Sequence, residues 1–155
     1  GKKDVTKTPI PAYLRYMKSP LFRAFWKAMG ELPVDIKILS AKFGLIGWQK
    51  PIPYYDQIIT EEQVPSFVEQ VASVIPGYQH VFFIGLGRYR TVVERASEVA
   101  GVSVQVYPRK DLTTRNALDV LEYSAQMSTM KEAVELALGS ASDMASPQEK
   151  LHSFP

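Results

Sequence analysis

The sequence predicts an α/β domain of three layers, in which helices flank a mostly parallel central sheet and extra helices follow toward the C-terminus. Two observations support this fold class. Short runs rich in β-branched and aromatic residues alternate with longer amphipathic segments, which is typical of parallel sheets. One run, H-V-F-F-I-G at residues 80–85, is almost wholly apolar, as expected of a strand covered on both faces.

The composition excludes several kinds of site. The chain has 155 residues, two histidines and no cysteine, so we expect one domain without disulfides, thiol catalysis or a histidine-rich metal site. No apolar run approaches the roughly 18 residues that a membrane helix needs, and no signal-peptide pattern opens the chain. We expect a cytoplasmic protein without a membrane contact, a metal or a cofactor, with one domain over residues 1–139 and a flexible tail over residues 140–155. The sequence leaves the oligomeric state open.

Charge is distributed unevenly along the chain. The formal net charge is +2, but residues 1–50 contain ten Lys and Arg against three acidic residues. A basic surface of this kind can bind phosphates or nucleic acid. The alternative is a solvated surface that happens to be basic, and charge alone leaves both interpretations open.

The first half of the chain is predicted to contain a helix, a buried strand and a long loop. Residues 12–17 suit a short helix or turn. Ser19 is a good N-cap and Pro20 suits a first helical turn, with apolar residues at helical spacing behind them and Trp26 in the core. Residues 34–39 form a β-rich run, which predicts a strand. The connection from that strand to Thr60 is long, and such loops are often functional.

The second half is predicted to continue the alternation of helices and strands. Its elements are a helix from a capping box at residues 60–63 to residue 76, a strand at 80–85, a helix at 89–100, a strand at 102–107, a helix from Asp111 or Thr113 to about Gln126, and a last segment at 128–139. Loops at the carboxyl ends of such strands are where open α/β sheets bind ligands.

A glycine turn follows the strand at residues 80–85. Gly85 and Gly87 precede Arg88 where the strand turns into a helix, and backbone amides there favour an anion. The pattern lacks the third glycine of a dinucleotide fingerprint and the lysine of a P-loop. A phosphate or carboxylate site that uses Arg88 fits the pattern, and so does a tight turn that needs small residues.

The long loop carries the other candidates. Lys42, which follows Ser40 and precedes Gly44, can hold a phosphate or be a lone surface lysine. Tyr54 and Tyr55 offer aromatic faces for a nucleobase. Asp56 can orient a water or stabilise a cationic transition state. The alternative is a loop in which the tyrosines pack on the domain and the carboxylate makes a turn or cap bond.

The runs I-L-S-A-K-F-G-L-I at residues 38–46 and P-I-P-Y-Y-D-Q at residues 51–57 resemble the YaaA peroxide-stress family and small domains related to it. The resemblance covers roughly residues 1–107. It implies a fold similar to the uracil-DNA glycosylase superfamily, a cleft formed by strand ends, and an association with DNA under oxidative stress. The start, G-K-K, resembles the end of that family's first loop with the preceding strand missing. The chain is much shorter than YaaA and shows no helix-hairpin-helix segment. By position, the implied cleft is lined by Lys2, Lys3, Ser40, Lys42, Gly44, Tyr54, Tyr55, Asp56 and Arg88.

Two functions follow from these observations. The first is an enzyme that handles a nucleotide, nucleoside or nucleic-acid base and cleaves an N-glycosidic bond, with Asp56 and Tyr55 as catalytic residues, Tyr54 or Tyr55 stacked on the base, and Lys42 and Arg88 on the phosphate. The second is a non-enzymatic stress-response module that uses a basic N-terminal face to bind nucleic acid, DNA in preference to RNA. A third interpretation is a subunit or fragment whose missing strand comes from elsewhere.

Overall fold

The computed structural model describes residues 8–109 and 120–141 and combines helices with short strands. The strands are β1 (Ile10–Pro11), β2 (Lys37–Ser40), β3 (Gly44–Gly47), β4 (Pro51–Ile52), β5 (Phe82–Ile84) and β6 (Gln105–Tyr107). The helices are α1 (Ala12–Arg15), α2 (Pro20–Met29), α3 (Val64–Val74), α4 (Gly87–Ala100) and α5 (Val120–Ala141), with 3-10 turns at Glu61–Gln63 and Ile75–Gly77.

The described strands form three separate two-stranded sheets. β1 pairs with β4 and β2 with β3, both antiparallel, whereas β5 and β6 are parallel. The parallel pair is connected through α4, which is the crossover that a parallel pair requires. The mixed helix-and-strand class is therefore confirmed. Among the residues described, the strands do not assemble into one long parallel sheet.

Part of the long connection after β2 is a hairpin, which the sequence did not predict. β3 folds back on β2 so that Ser40 pairs with Gly44 and Lys37 with Gly47. Gly44 makes this reversal possible because its φ of +74° is a conformation that glycine adopts without steric cost. The run G-L-I-G offers only two apolar residues between glycines, which is too short for a periodicity signal.

Three predicted helix boundaries are confirmed. The Ser19 hydroxyl accepts the Phe22 amide at 3.3 Å at the start of α2. The Gln63 side chain accepts the Thr60 amide at 2.9 Å and closes the predicted capping box. Gly101 ends α4 in the left-handed conformation with φ of +65°. Each of these signals acts within one helical turn.

The core lies between α2, β2, β5 and α4. Phe22, Phe25, Phe82 and Phe83 are at most 2% exposed. Trp26 only partly fits the prediction that it lies in the core, because it is half-buried and packs against the edge of that cluster.

The prediction of two separate helical segments near the C-terminus is wrong over the residues that α5 covers. α5 runs without a break through the predicted boundary near Ser128. The Thr129 hydroxyl donates to the Ala125 carbonyl at 3.1 Å, which is how a threonine is accommodated inside a helix. The predicted start at Asp111 or Thr113 lies outside the described residues, as does the predicted tail beyond residue 141. None of the described helices is both long and apolar enough to cross a membrane.

Candidate functional site

Three tyrosines and a serine from four parts of the chain meet at the end of β2. We call Tyr16, Ser40, Tyr55 and Tyr89 the hydroxyl cluster. The Ser40 hydroxyl donates to the Tyr55 oxygen at 2.9 Å, and the Tyr55 and Tyr16 hydroxyls are hydrogen-bonded to each other. Ser40 is fully buried, while Tyr55 and Tyr16 are 6% and 9% exposed. Tyr89 is half-buried and lies close enough to Tyr55 to interact with it electrostatically.

Ser40 shapes the turn that leaves β2. Its oxygen accepts the amides of Lys42 at 3.2 Å and Phe43 at 3.1 Å while its proton goes to Tyr55. A hydroxyl has one proton and two lone pairs, so its hydrogen-bonding capacity is filled. This geometry supports a positioning role, in which Ser40 fixes both the buried phenol and the turn that carries Lys42.

Burial raises the pKa of two phenols of the cluster. It is the main cause that raises the pKa of Tyr16 above its ordinary value, and the neighbouring Tyr55 adds to it. Burial also raises the pKa of Tyr89, again with a contribution from Tyr55. A phenol of ordinary pKa, about 10, is already neutral at pH 7. The raised pKa extends that neutral state to higher pH, so neither group repels an anion.

Hydrogen bonds hold residues 53–60 between the β2 turn and α4. The Gln57 side-chain amide donates to the Ala41 carbonyl at 3.1 Å. The Arg88 guanidinium donates to the Ile59 carbonyl at 2.9 Å. The segments that follow β2 and β5 therefore meet along one loop.

Of the two cations predicted for phosphate, Arg88 contacts this loop, and Lys42 follows Ala41, which accepts the hydrogen bond from Gln57. The Arg88 side chain is 45% exposed, and its guanidinium is 3.9 Å from the Glu61 carboxylate, which is 84% exposed. Lys42 is exposed, with its ammonium 5.5 Å from the centre of the Phe43 ring. Exposed ion pairs contribute little, so Glu61 holds Arg88 only weakly.

The glycine turn has structural reasons for its composition. A Cβ on Gly85 would lie 2.5 Å from the Phe83 ring, and the Gly85 amide donates to the Tyr107 carbonyl at 3.0 Å. Gly87 begins α4 with φ of +62°. These contacts support the tight-turn interpretation at Gly85, whose amide is engaged within the protein.

The remaining predicted residues differ in exposure. Asp56 is exposed and Tyr54 is half-buried. Within residues 8–109 and 120–141, no hydrogen bond or ion pair holds Asp56, so the predicted alternative of a turn or cap bond has no partner there. Lys2 and Lys3 lie outside the described residues. No group of three His, Asp or Glu side chains in the described ranges could hold a metal ion.

Sequence reasoning missed Tyr16, Gln57 and Tyr89. Tyr89 directly follows Arg88, so the strand-end position that drew attention to Arg88 also pointed to it. Tyr16 had no local signal, because it lies 39 residues from its partner Tyr55.

Comparisons with models of protein families, with curated proteins and with solved structures find no significant match. The resemblance to the YaaA family therefore stays a prediction that rests on the two quoted runs. The function is argued from the site itself.

Proposed function

We propose that the protein binds a nucleotide, a nucleoside or a nucleic-acid base along residues 53–60 and cleaves its N-glycosidic bond. The observation that carries this proposal is that Asp56 lies on a loop bonded to Arg88 on one side and, through Gln57, to the residue before Lys42 on the other. The loop also contains Tyr55, which is hydrogen-bonded to the buried Tyr16 phenol. Cations, an exposed carboxylate and an aromatic side chain are the groups that a phosphate, a sugar and a base each require.

Recognition of the phosphate is assigned to Lys42, Arg88 and the N-terminus of α4. α4 has 14 residues, and the positive end of such a helix favours an anion. Tyr54 is half-buried and has ring area for stacking, whereas Tyr55 is 6% exposed. We therefore assign base stacking to Tyr54 and give Tyr55 a supporting role beneath the site.

Cleavage is assigned to the exposed carboxylate of Asp56. As the bond from the sugar to the base lengthens, positive charge develops on the sugar, and a nearby carboxylate stabilises it. Water then adds its oxygen to the sugar carbon, and the departing base takes up a proton from solvent, to which Asp56 later releases the proton that it accepts. Asp56 also orients this water and accepts its proton.

The wider expectations belong to the same proposal. They are a three-layer domain with a mostly parallel sheet, a cytoplasmic location, and a role with DNA under oxidative stress. The parallel pairing of β5 with β6 supports the first of these.

A thermal-shift panel of nucleobases, nucleosides and mononucleotides tests binding, because a ligand that binds only the folded state raises Tm by mass action. Lys42→Gln should weaken a mononucleotide about tenfold, the value of one charged contact, and leave the nucleoside nearly unchanged. Lys18→Gln, a change at another exposed lysine, is the matched control.

Chromatography of the incubated ligand then measures released base. Asp56→Asn should keep the thermal shift and lose base release, because the amide is the same size but carries no charge. Full turnover in Asp56→Asn would remove the catalytic assignment. A panel without any shift would refute binding at this site.

A further inference from the structure

An aromatic cluster that the proposed function does not use lies where α1, α2 and the end of β3 meet. We call Tyr13, Trp26 and Trp48 the aromatic surface. The rings of Tyr13 and Trp26 stack with centroids 4.8 Å apart, and the Trp48 ring is 5.2 Å from each of them. All three side chains are half-buried and pack against the core.

Backbone hydrogen bonds fix the segments that carry Tyr13 and Trp48. The Tyr13 amide donates to the Trp48 carbonyl at 3.0 Å, and the Ala12 amide donates to the Lys50 carbonyl at 2.8 Å. A Cβ on Gly30 would lie 3.0 Å from the Trp26 ring, so the indole lies across that glycine. Rings that are already ordered lose little conformational entropy when a ligand stacks on them.

Exposed cations border the aromatic surface. Arg23 and Lys27 are exposed on α2. At 100° per residue they lie roughly 60° and 100° around the helix axis from Trp26, both on the same side. Lys50 is exposed two residues after Trp48.

Few acidic groups offset these cations. Residues 8–52 contain seven Lys and Arg but only Glu31 and Asp35 as acids. The Asp35 carboxylate lies 3.7 Å from the Lys37 ammonium and accepts a hydrogen bond from Tyr78. Cations therefore outnumber acidic residues seven to two in this part of the chain.

We infer that the aromatic surface binds single-stranded nucleic acid. Bases stack on exposed aromatic rings regardless of sequence, and nearby cations contact the phosphates. A duplex keeps its base faces inside the stack, and an acidic polypeptide has no bases. Neither can therefore stack on the rings while its negative charges contact the cations. The inference does not depend on the proposed function, since none of its residues is assigned to that site.

Intrinsic fluorescence gives a direct readout. The chain contains two tryptophans, and both belong to the aromatic surface. We expect a single-stranded oligothymidylate or oligouridylate, added to the full chain, to quench this fluorescence with an affinity that falls as salt rises. An equally long duplex and poly-glutamate should bind more weakly and quench less.

Charge variants test the phosphate contacts without disturbing the core. Lys27→Gln/Lys50→Gln should weaken binding at least tenfold and make the slope of log K against log salt shallower by about 1.4, at roughly 0.7 for each lost phosphate contact. Arg95→Gln, which removes an exposed cation on α4, should change neither quantity.

A stacking variant tests the other half of the inference. Trp48→Leu keeps an apolar side chain and should weaken binding while the salt slope stays the same, with circular dichroism as the check on folding. The inference is overturned if neither oligonucleotide quenches the fluorescence, or if the duplex or poly-glutamate binds as tightly. It is also overturned if the double lysine variant retains its affinity, a result that does not depend on the tryptophan variant folding.

Discussion

Removal of the hydrogen bond between Ser40 and Tyr55 should destabilise the fold, because both groups are buried where water cannot replace the lost partner. Their oxygens are 2.9 Å apart. Ser40→Ala also takes the acceptor away from the amides of Lys42 and Phe43. Tyr55→Phe takes the hydroxyl partner away from Tyr16.

The expected magnitudes follow from this count of lost partners. A buried polar group left without its partner costs about 1–3 kcal/mol, so Tyr55→Phe should fall in that range and Ser40→Ala at its upper end. The double variant should cost about 0.5–1.5 kcal/mol less than the sum of the two, because both single variants lose the same bond. Each kcal/mol lowers Tm by about 2–4 °C in a domain of this size.

Urea unfolding followed by circular dichroism measures these free energies, provided that the dependence on urea has the same slope in all variants. Tyr54→Phe, at the half-buried neighbouring tyrosine, is the matched control and should change stability by less than about 0.5 kcal/mol. Strictly additive costs would show that the two hydroxyls are not bonded to each other. A loss below 0.5 kcal/mol in both single variants would refute the burial argument.

Two further predictions concern the β2–β3 turn and alkaline pH. Gly44→Ala should cost about 1–2 kcal/mol in urea unfolding because its φ is positive, and a Cβ would lie 2.4 Å from the Gln70 side-chain oxygen. Gly47→Ala, where a Cβ meets nothing within 4 Å, is its control, and equal costs would contradict the backbone explanation. Burial raises the pKa of Tyr16, so its stabilising contribution should be complete below the unfolded pKa of about 10 and fall as pH rises above it. Tyr16→Phe should flatten that part of the stability curve, and an unchanged slope would contradict the prediction.

The sequence predicted best those features whose cause is local. Ser19 and Thr60 cap helices through partners three residues away, so the signal and its effect lie in one short window. β3 was not predicted because its formation as a strand depends on pairing with β2 and on the positive φ of Gly44. A scan for periodicity detects neither.

In the candidate site, too, residues with a local sequence signal were predicted and residues brought together only by folding were not. Ser40 and Tyr55 stood out because they lie in a long loop after a predicted strand. The contribution of Tyr16 could not be predicted, since only the folded chain brings it to Tyr55. Trp26 was expected in the core because helical spacing reveals which face of a helix is apolar. The spacing does not reveal how much of each side chain on that face stays accessible to solvent.

The β2–β3 hairpin separates the two proposed binding surfaces and provides a way to test them against each other. Ser40 pairs with Gly44 at one end of the hairpin, and Trp48 follows its other end. At about 3.3 Å per residue, the backbones of Gly44 and Trp48 are roughly 13 Å apart. A mononucleotide can therefore occupy one surface at a time, whereas an oligonucleotide has the length to contact the aromatic surface through several bases.

The two sets of lysine variants should consequently have separable effects. Lys42→Gln should weaken the mononucleotide and leave fluorescence quenching by the oligonucleotide nearly unchanged, while Lys27→Gln/Lys50→Gln should do the reverse. All three lysines are exposed and lie on α2 or on or near the hairpin. A variant that destabilised the whole protein would lower both affinities together. Equal losses for both ligands in both variants would therefore contradict two separate surfaces, whereas loss in only one variant would retain the corresponding proposal and reject the other.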